Sequence, residues 1–389
     1  MKDRYIPRGS SYVFAFLLTL YFLVSFSPAL ARPEDAGSEL LRPAVGHHLR
    51  ATRIAGPFHY PWSVAFLPDE RMLVTEKTGQ LNLVAPDGST ENISAVPGVW
   101  PGAEGGLLDV VVPEDFSRTG TIFLSFTAGK AGHVSVRLMR AHLDLNNRSL
   151  NRQKIIFTAA PDGPDNRYLG GRIAVAGKVI FLSLGDRGEP MRAQNLSDDA
   201  GKIIRLQTDG TIPSGNPFAH TAGARPEIWS YGHRNPEGLA FDRLSGQLWS
   251  TEHGPRGGDE LNSVSPGINY GWPLVSFGKN YDGTPVGSGK SRMAGITDPV
   301  WQWTPSTGPS GLALEHKGST TVFWSGALPG RHISRIALRP GSRPEETIFR
   351  SPALQRVRDV RIGPSGAIYV LTDSDRGELF RLSWPAHAD

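Results

Sequence analysis

The segment EGLAFDRLSGQLWSTEHG, residues 237–254, places two short apolar strands on either side of the turn DRLSG. Such a segment predicts an antiparallel β-hairpin. The same pattern begins at five further points in the chain, namely Pro61, Gly105, Gly170, Ser310 and Val357. The starts lie roughly 45 to 75 residues apart, and loop insertions explain why this exceeds the repeat of about 40 to 50 residues in many propellers.

Six similar hairpin units, without long apolar stretches at helical spacing, predict an all-β protein. We expect a six-bladed β-propeller, in which sheets of about four strands stand radially around a central axis. A two-sheet sandwich is the alternative, but it does not require six similar units. We expect one propeller domain over residues 49–389, with a strand at 49–55 completing the last sheet beside Arg381 and closing the ring.

The first 31 residues have the pattern of an export signal. Its parts are a basic start with Lys2, Arg4 and Arg8, an apolar run at 12–26 and small residues at 29–31. The apolar run is about 15 residues long, whereas a membrane span needs roughly 20. We therefore expect cleavage, no stable membrane span afterwards, and a periplasmic or secreted protein; an uncleaved anchor is the alternative. Residues 32–48 are predicted to be a linker.

Charge and cysteine content narrow the possible functions. The net charge is +4, and it falls to +2 when residues 1–31, with three basic residues and one acidic residue, are removed. Nucleic-acid binding needs clustered basic residues, and the sequence has no such cluster. Because the chain has no cysteine, disulfides, thiolate metal sites and a cysteine nucleophile are excluded.

The stretch from residue 228 to residue 273 carries charged side chains in turns rich in glycine and proline. His233, Arg234 and Asn235 share one turn, and residues 252–262 contain three acids and several glycines. Carboxylates and backbone carbonyls of this kind suit a hard cation such as Ca²⁺. Asp, Asn and Gly are also ordinary turn residues, so a purely structural role is the alternative.

Several motifs between residues 61 and 382 resemble one enzyme family. In chain order they are PWSVAFLPD, GGLLDVV, GGRI with the later GDR, GKIIRL, IPSGNPF, PEIWSYGHRNPEGLAF, EHGPRGGDELN, NYGWP, RVRDVRIGPSGAIYVLTD and GEL. They are similar to the soluble aldose dehydrogenases that depend on pyrroloquinoline quinone (PQQ), the glucose/sorbosone dehydrogenase family of six-bladed propellers. EHGPRGGDELN followed by NYGWP is the most specific part of the resemblance.

The resemblance implies an oxidoreductase that uses PQQ and Ca²⁺ to oxidise the C1 hydroxyl of aldose sugars to lactones and passes electrons to an external acceptor. Arg356 and Arg358 match the family's RxRD pair, and Arg234 and Asn235 match a turn beside the cofactor. Guanidinium groups can hold the carboxylates of the cofactor in bidentate fashion. The spacing of Arg356 and Arg358 puts both side chains on one face of a strand. Without the resemblance, two such arginines would be interpreted as part of a solvent-exposed face.

The resemblance also implies metal sites. Gly254 and Pro255 match positions whose carbonyls hold the Ca²⁺ that binds the quinone, where the cation would act as a Lewis acid. Glu260 and Tyr270 match positions that hold further calcium in some members of the family. Trp303 is a candidate sugar contact because an aromatic face suits a pyranose ring; packing in the core is the alternative.

The sequence departs from the family at three positions near the implied site. The family has a histidine as general base two residues before GGR, and here that position is Tyr168. Glu104 replaces a glutamine before GGLLD. Pro329 replaces a lysine, and Arg331 is the candidate that supplies the missing charge to the cofactor. Tyrosine has a pKa near 10 against about 6.5 for histidine, so Tyr168 is a poor base at neutral pH unless a cation activates it.

Three interpretations of these departures remain open. In the first, catalysis continues with another base, for which the candidates are Glu104, Asp165 and an activated Tyr168. We predict catalytic roles for Tyr168 and Arg234, a cofactor contact for Glu104 and a substrate contact for Asp165. In the second, the propeller binds a quinone or a sugar but is catalytically impaired. In the third, the register at residue 168 differs and a histidine enters from elsewhere, with His220, His253 and His332 as candidates.

Other enzyme classes fit the sequence less well. A glycosidase needs two carboxylates about 5 to 10 Å apart, and the sequence gives no distances for its candidates, Glu104, Glu252, Asp259 and Glu260. A serine hydrolase of the GxSxG type is not supported because the motif does not occur, and a nicotinamide enzyme is not supported because no strand, GxGxxG and helix follow one another.

Overall fold

The structure is a computed structural model that describes residues 38–43, 48–163 and 167–384. Almost all of its regular structure is β-strand, and the strands form six blades in a ring. The predicted all-β, six-bladed β-propeller is therefore confirmed. The predicted signal at residues 1–31 lies outside the described residues. Within the described ranges, no helix is long and apolar enough to cross a membrane.

The strands follow one another in the same antiparallel order in each blade. Blade 1 contains β3 (Pro61–Phe66), β4 (Met72–Glu76), β5 (Leu81–Val84) and β6 (Thr90–Ile93). Blade 2 contains β7 (Leu107–Val111), β8 (Thr121–Lys130), β9 (His133–Asp144) and β10 (Ser149–Thr158). Blade 3 contains β11 (Gly170–Ala176), β12 (Val179–Leu184), β13 (Lys202–Gln207) and β14 (Ile228–Tyr231).

The second half of the ring repeats this arrangement. Blade 4 contains β15 (Pro236–Asp242), β16 (Gln247–Glu252), β17 (Asp259–Val264) and β18 (Trp301–Trp303). Blade 5 contains β19 (Pro309–Lys317), β20 (Thr320–Ala327), β21 (His332–Leu338) and β22 (Glu345–Arg350). Blade 6 contains β23 (Val357–Ile362), β24 (Ile368–Thr372), β25 (Gly377–Ser383) and β2 (Leu49–Phe58). The described helices are short: α1 (Phe116–Thr119) and a 3-10 helix (Pro190–Gln194).

The ring closes through its N-terminal strand. β2 pairs antiparallel with β25, so that Ala51 lies opposite Leu382 and Thr52 opposite Arg381. The predicted closing strand is therefore present, and it continues to Phe58. β1 (Ser38–Pro43) pairs with both β2 and β22 and joins blades 5 and 6 into one nine-stranded sheet. Part of the stretch predicted to be a linker thus contributes a strand.

Apolar side chains fill the interfaces between neighbouring blades. Successive strand residues point to opposite faces of a sheet, and each of the six interfaces holds its own buried cluster. Trp303 belongs to the cluster between blades 4 and 5, with 4% of its surface exposed. Its indole nitrogen donates to the carboxylate of Glu346 at 2.7 Å. Trp303 therefore packs in the core between two blades and does not present its ring as a sugar contact.

A network of two arginines and two aspartates occupies the centre of the ring. Arg172 on β11 is fully buried, and its Nη1 lies 3.0 Å from Asp359 Oδ1 on β23 and 3.6 Å from Asp109 Oδ1 on β7. Arg361 donates to the same carboxylates, at 2.8 Å to Asp109 and 2.9 Å to Asp359. The network therefore ties together the innermost strands of blades 2, 3 and 6.

Arg172 also contacts the innermost strands of blades 1, 4 and 6. Its Nε donates to the backbone carbonyl of Glu237 at 2.6 Å, and its Nη2 donates to that of Arg358 at 2.9 Å. Its guanidinium carbon lies 3.8 Å from the ring centre of Trp62 on β3. The arginine of the GGRI motif thus holds blades 1, 4 and 6 as well as its own.

We expect Arg172→Met to destabilise the fold strongly. Methionine preserves much of the side-chain volume but leaves Asp109 and Asp359 buried with one cationic partner, Arg361. Breaking a buried ion pair in this way costs about 3 to 5 kcal/mol of unfolding free energy, measurable by urea denaturation. Arg118→Met is the matched control, since the Arg118 pair with Asp115 is largely exposed and should matter little. Equal stability of the two variants would contradict the role of the network.

Candidate functional site

The loops that precede the innermost strands meet at one end of the ring. Each blade begins with its innermost strand, so the residues before these strands lie around a common opening, which we call the rim. Glu104 precedes β7, Tyr168 precedes β11, Asn235 precedes β15 and Arg356 precedes β23. A cavity of about 650 Å³, the rim cavity, opens among them, and its volume lies within the roughly 300 to 1,000 Å³ typical of small-molecule sites.

The wall of the rim cavity is rich in charged groups. Among them are Lys77, Glu104, Glu237, Arg356, Arg358 and Asp373. The structure thus brings together four residues predicted for the cofactor: Glu104, Asn235, Arg356 and Arg358. Sequence reasoning missed Lys77, Glu237 and Asp373. Lys77 follows β4 in an ordinary hairpin turn, and nothing in that turn distinguishes it from a solvent-exposed lysine.

Arg358 is the most deeply held cation of the rim cavity. It is 5% exposed, and its Nη1 donates to Glu237 Oε2 at 2.5 Å while its Nη2 donates to Asp373 Oδ2 at 3.0 Å. Arg356 donates to the same Asp373 oxygen at 3.0 Å. Burial alone would raise the pKa of Asp373, but Arg358, Lys77 and Arg356 outweigh it and lower that pKa to about 2. The three cations therefore favour the charged form of Asp373.

Arg234 connects the rim to the loop that follows β16. Its Nη1 donates to the carbonyls of Gly254 at 2.8 Å and His253 at 3.2 Å, and its backbone N–H donates to Glu252 at 2.8 Å. Its guanidinium carbon lies 4.3 Å from the ring centre of Tyr168. The Gly254 carbonyl and the predicted catalytic pair Arg234 and Tyr168 are thus neighbours.

The predicted metal residues lie in and around a second, smaller cavity behind this loop. Gly254, Glu260 and Tyr270 line it, and Pro255 is buried beside Gly254. Burial and the neighbouring Glu252 raise the pKa of Glu260 well above its usual value. The Tyr270 hydroxyl is already engaged, since it donates to the Ser263 carbonyl at 2.6 Å. Among the described residues there is no cluster of three or more His, Cys, Asp or Glu suited to a metal, so backbone carbonyls would have to supply ligands.

Asp259 shapes the loop that carries Gly254. Its carboxylate accepts the backbone N–H of Gly254 at 2.7 Å, of Thr307 at 2.6 Å and of Gly308 at 2.8 Å. One side chain therefore fixes the loop after β16 against the loop before β19. The sequence offered Asp259 as one of three acids suited to Ca²⁺ or as a glycosidase acid, because loop geometry is not visible in a residue pattern.

Glu104 and Tyr168 touch each other across blades 2 and 3. The backbone N–H of Tyr168 donates to Glu104 Oε2 at 2.7 Å. Burial raises the pKa of Tyr168 above its usual value, and Arg234 opposes this only in part. An activated Tyr168 anion is therefore disfavoured. The Glu104 side chain is exposed to the opening, yet the surrounding protein and Glu237 raise its pKa.

The remaining predicted residues lie away from the rim cavity or outside the description. Arg331 is exposed and does not line the cavity, whereas Pro329 does. Of the three candidate histidines, His253 lines the cavity and His220 and His332 do not. Asp165 lies outside the described residues.

Comparisons with known proteins give a consistent pattern. The sequence model of the Glucose / Sorbosone dehydrogenase family matches residues 58–381. The aldose sugar dehydrogenase YliI of Escherichia coli is 38% identical over 374 residues, covering 93% of this chain and 96% of that protein.

Two solved structures extend this similarity to three dimensions. The apo soluble aldose sugar dehydrogenase from E. coli has a TM-score of 0.79 at 34% identity, covering 86% of this chain and 99% of that chain. The PQQ-bound aldose sugar dehydrogenase from Streptomyces coelicolor has a TM-score of 0.72 at 28% identity, covering 88% of this chain and 99% of that chain.

We expect Asp373→Asn to flatten the acid dependence of stability. The pKa of Asp373 is lowered from 3.8 to about 2 in the folded protein. At a pH above the unfolded-state pKa the Asp373 carboxylate therefore stabilises the fold. This stabilisation is lost as the pH falls through the folded-state pKa. The difference corresponds to roughly 2 kcal/mol. Urea unfolding of the ligand-free protein between about pH 5 and pH 2 measures it. An unchanged pH dependence in Asp373→Asn would contradict the assigned pairing.

Proposed function

We propose that the protein uses PQQ and Ca²⁺ to oxidise the C1 hydroxyl of aldose sugars to lactones. Electrons then pass to an external acceptor. The proposal starts from its family, because the chain belongs to the glucose/sorbosone dehydrogenase family of PQQ-dependent aldose sugar dehydrogenases. The observation that carries this proposal is the rim cavity, which gathers Arg356, Arg358 and Lys77 around one opening of suitable size. On the sequence pattern alone, we also propose export through a signal at residues 1–31 to the periplasm or the cell exterior.

The rim cavity fits a planar quinone with several carboxylates. Among the described residues, the buried Nε atoms of Arg234 and Arg358 have no hydrogen-bond partner. A buried donor left without an acceptor costs about 1 to 3 kcal/mol, more when it is charged. A carboxylate or carbonyl oxygen of the cofactor would supply the missing acceptor. We propose that Arg356, Arg358, Asn235 and Arg234 hold PQQ.

We propose that the carbonyls of Gly254 and Pro255 hold the Ca²⁺ that accompanies the quinone. Carbonyl oxygens are ligands that Ca²⁺ accepts readily. The fixed position of Gly254, set by Asp259 and Arg234, supports this choice. Glu260 and Tyr270 are proposed for further calcium, since both line the smaller cavity together with Gly254.

The proposed reaction divides between cofactor and protein. When bound, PQQ supplies the two-electron oxidant that accepts hydride from C1 of the sugar. The protein holds the sugar at the rim and takes the proton of the C1 hydroxyl. Arg234 contributes a fixed positive charge beside Tyr168 and Gly254, where it would stabilise negative charge that develops in the transition state.

A catalytically impaired quinone-binding propeller is the alternative. The observation in its favour is Tyr168 at the position of the family's histidine base, with a pKa that burial raises further. Both proposals require PQQ binding. They differ in whether the loaded protein turns over an aldose with a dye as electron acceptor.

We expect Arg356→Ala to weaken PQQ binding about 10- to 100-fold, since a charge-assisted hydrogen bond contributes roughly 1.5 to 3 kcal/mol. Arg356 is half-exposed, so the variant should fold. Binding is measured by visible absorption titration with Ca²⁺ present, and dye-linked aldose oxidation is measured at saturating PQQ. The control is Arg331→Ala, which removes an exposed arginine outside the rim cavity and should leave the affinity unchanged.

Two outcomes of this experiment would contradict the proposals. Equal affinity of wild type, Arg356→Ala and Arg331→Ala would remove the rim cavity as the cofactor site. Tight PQQ binding by the wild type without aldose oxidation would replace the dehydrogenase with the impaired alternative.

A further inference from the structure

We propose that Glu104 is the general base of this site and takes the proton of the C1 hydroxyl of the sugar. The assignment rests on the proposed function and adds to it a catalytic residue that substitutes for the histidine missing at position 168. Its basis is the placement of Glu104 in the rim cavity, directly beside residue 168.

The position of Glu104 gives it access to a bound sugar. It lies on the loop before β7, in the wall of the rim cavity, and its side chain is exposed to the opening. Its Oε2 accepts the Tyr168 backbone N–H at 2.7 Å, which anchors the carboxylate. Its Oε1 makes no hydrogen bond with any residue in the described ranges. One oxygen is therefore fixed by the protein and the other is free to accept a substrate proton.

The surroundings of Glu104 favour a proton acceptor. The titratable and charged groups that face it are Lys77, Tyr168, Glu237, His253 and Arg358. Removal of water by the surrounding protein raises the pKa of Glu104, and Glu237 raises it further, while the Tyr168 N–H, His253 and Arg358 oppose this in part. A carboxylate with a raised pKa is a stronger base than an ordinary one and lies closer to the operating pH.

The neighbouring acids are less suited to this role. Glu237 Oε2 binds Arg358, its Oε1 accepts from Asn235, and despite burial this pairing lowers its pKa. Asp373 binds both Arg356 and Arg358 and has a pKa of about 2. Both carboxylates are weak bases because their negative charge is already paired. No arginine in the described ranges forms such an ion pair with Glu104.

The proposed step balances in protons and electrons. The C1–H bond breaks and its electron pair leaves with the hydride to the quinone, which is reduced by two electrons. The O–H bond of the C1 hydroxyl breaks, its proton passes to Glu104, and a C1=O double bond forms. Because the Glu104 side chain is exposed to the opening, its proton can then leave to water.

The test compares wild type, Glu104→Gln and the double variant Glu104→Gln/Tyr168→His. Glutamine keeps an oxygen for the Tyr168 N–H but cannot act as a base, and the double variant installs a histidine at position 168. PQQ affinity is measured first by absorption titration, followed by reduction of the bound quinone by an aldose under single-turnover conditions. The affinity sets the PQQ concentration that saturates each variant, and with the site saturated we expect quinone reduction in Glu104→Gln to slow by at least about 100-fold, the usual contribution of a general base.

The double variant and a cofactor-free measurement complete the test. We expect the double variant, with histidine at position 168, to reduce the bound quinone at least about tenfold faster than Glu104→Gln does. The pKa of Glu104 is measured in protein without PQQ by ¹³C NMR titration of the glutamate carboxyls. The Glu104 signal is assigned as the one that is lost in Glu104→Gln. We expect its titration midpoint to lie above the ordinary glutamate pKa of 4.5.

Four results would overturn the assignment. Glu104→Gln could reduce quinone at the wild-type rate, the PQQ-loaded double variant could stay as slow as Glu104→Gln, or the Glu104 carboxyl could titrate at or below the ordinary value. In each case an active wild type leaves the proposed function intact. A wild type that binds PQQ without reducing it contradicts the proposed function itself, and the base assignment fails with it.

Discussion

The buried pairing of Arg172 with Asp109 and Asp359 is the constraint on which the rest of the molecule depends. Two carboxylates buried at the centre of the ring need buried cations as partners. Arg172 is one such partner and also donates to the backbone carbonyls of Glu237 and Arg358. The side chains of these two residues then pair in the wall of the rim cavity at 2.5 Å. The same guanidinium group therefore joins strands of several blades and fixes the backbone of two residues in the wall of the rim cavity.

The charge of the rim cavity explains why an anionic cofactor would need a cation nearby. Three cationic side chains in the wall face four acidic ones, so the wall itself carries no excess of positive charge. Extra positive charge comes from Arg234, which lies beside the Gly254 carbonyl, and a Ca²⁺ held by this loop would add more. The paired acids hold the arginines in place, and Glu104 remains free of such a pair.

The sequence predicted the blades well because hairpin periodicity is local. The closing strand expected at residues 49–55 beside Arg381 is also present, paired with β25. Side-chain direction in turns was less visible. Arg331 has a positive φ of 52° after a turn and lies outside the rim cavity, while Lys77 from an unremarkable turn lines it. Trp303 is in the core because strand alternation directs it toward blade 5. Such placements depend on packing between blades, which a single sequence pattern does not encode.

A crystal structure of the protein grown with PQQ and Ca²⁺ would locate the cofactor. We expect quinone density in the rim cavity, with carboxylates on Arg356 and Arg358 and a cation at the carbonyls of Gly254 and Pro255. Density for PQQ elsewhere, or a rim cavity that stays empty at saturating PQQ, would contradict this placement.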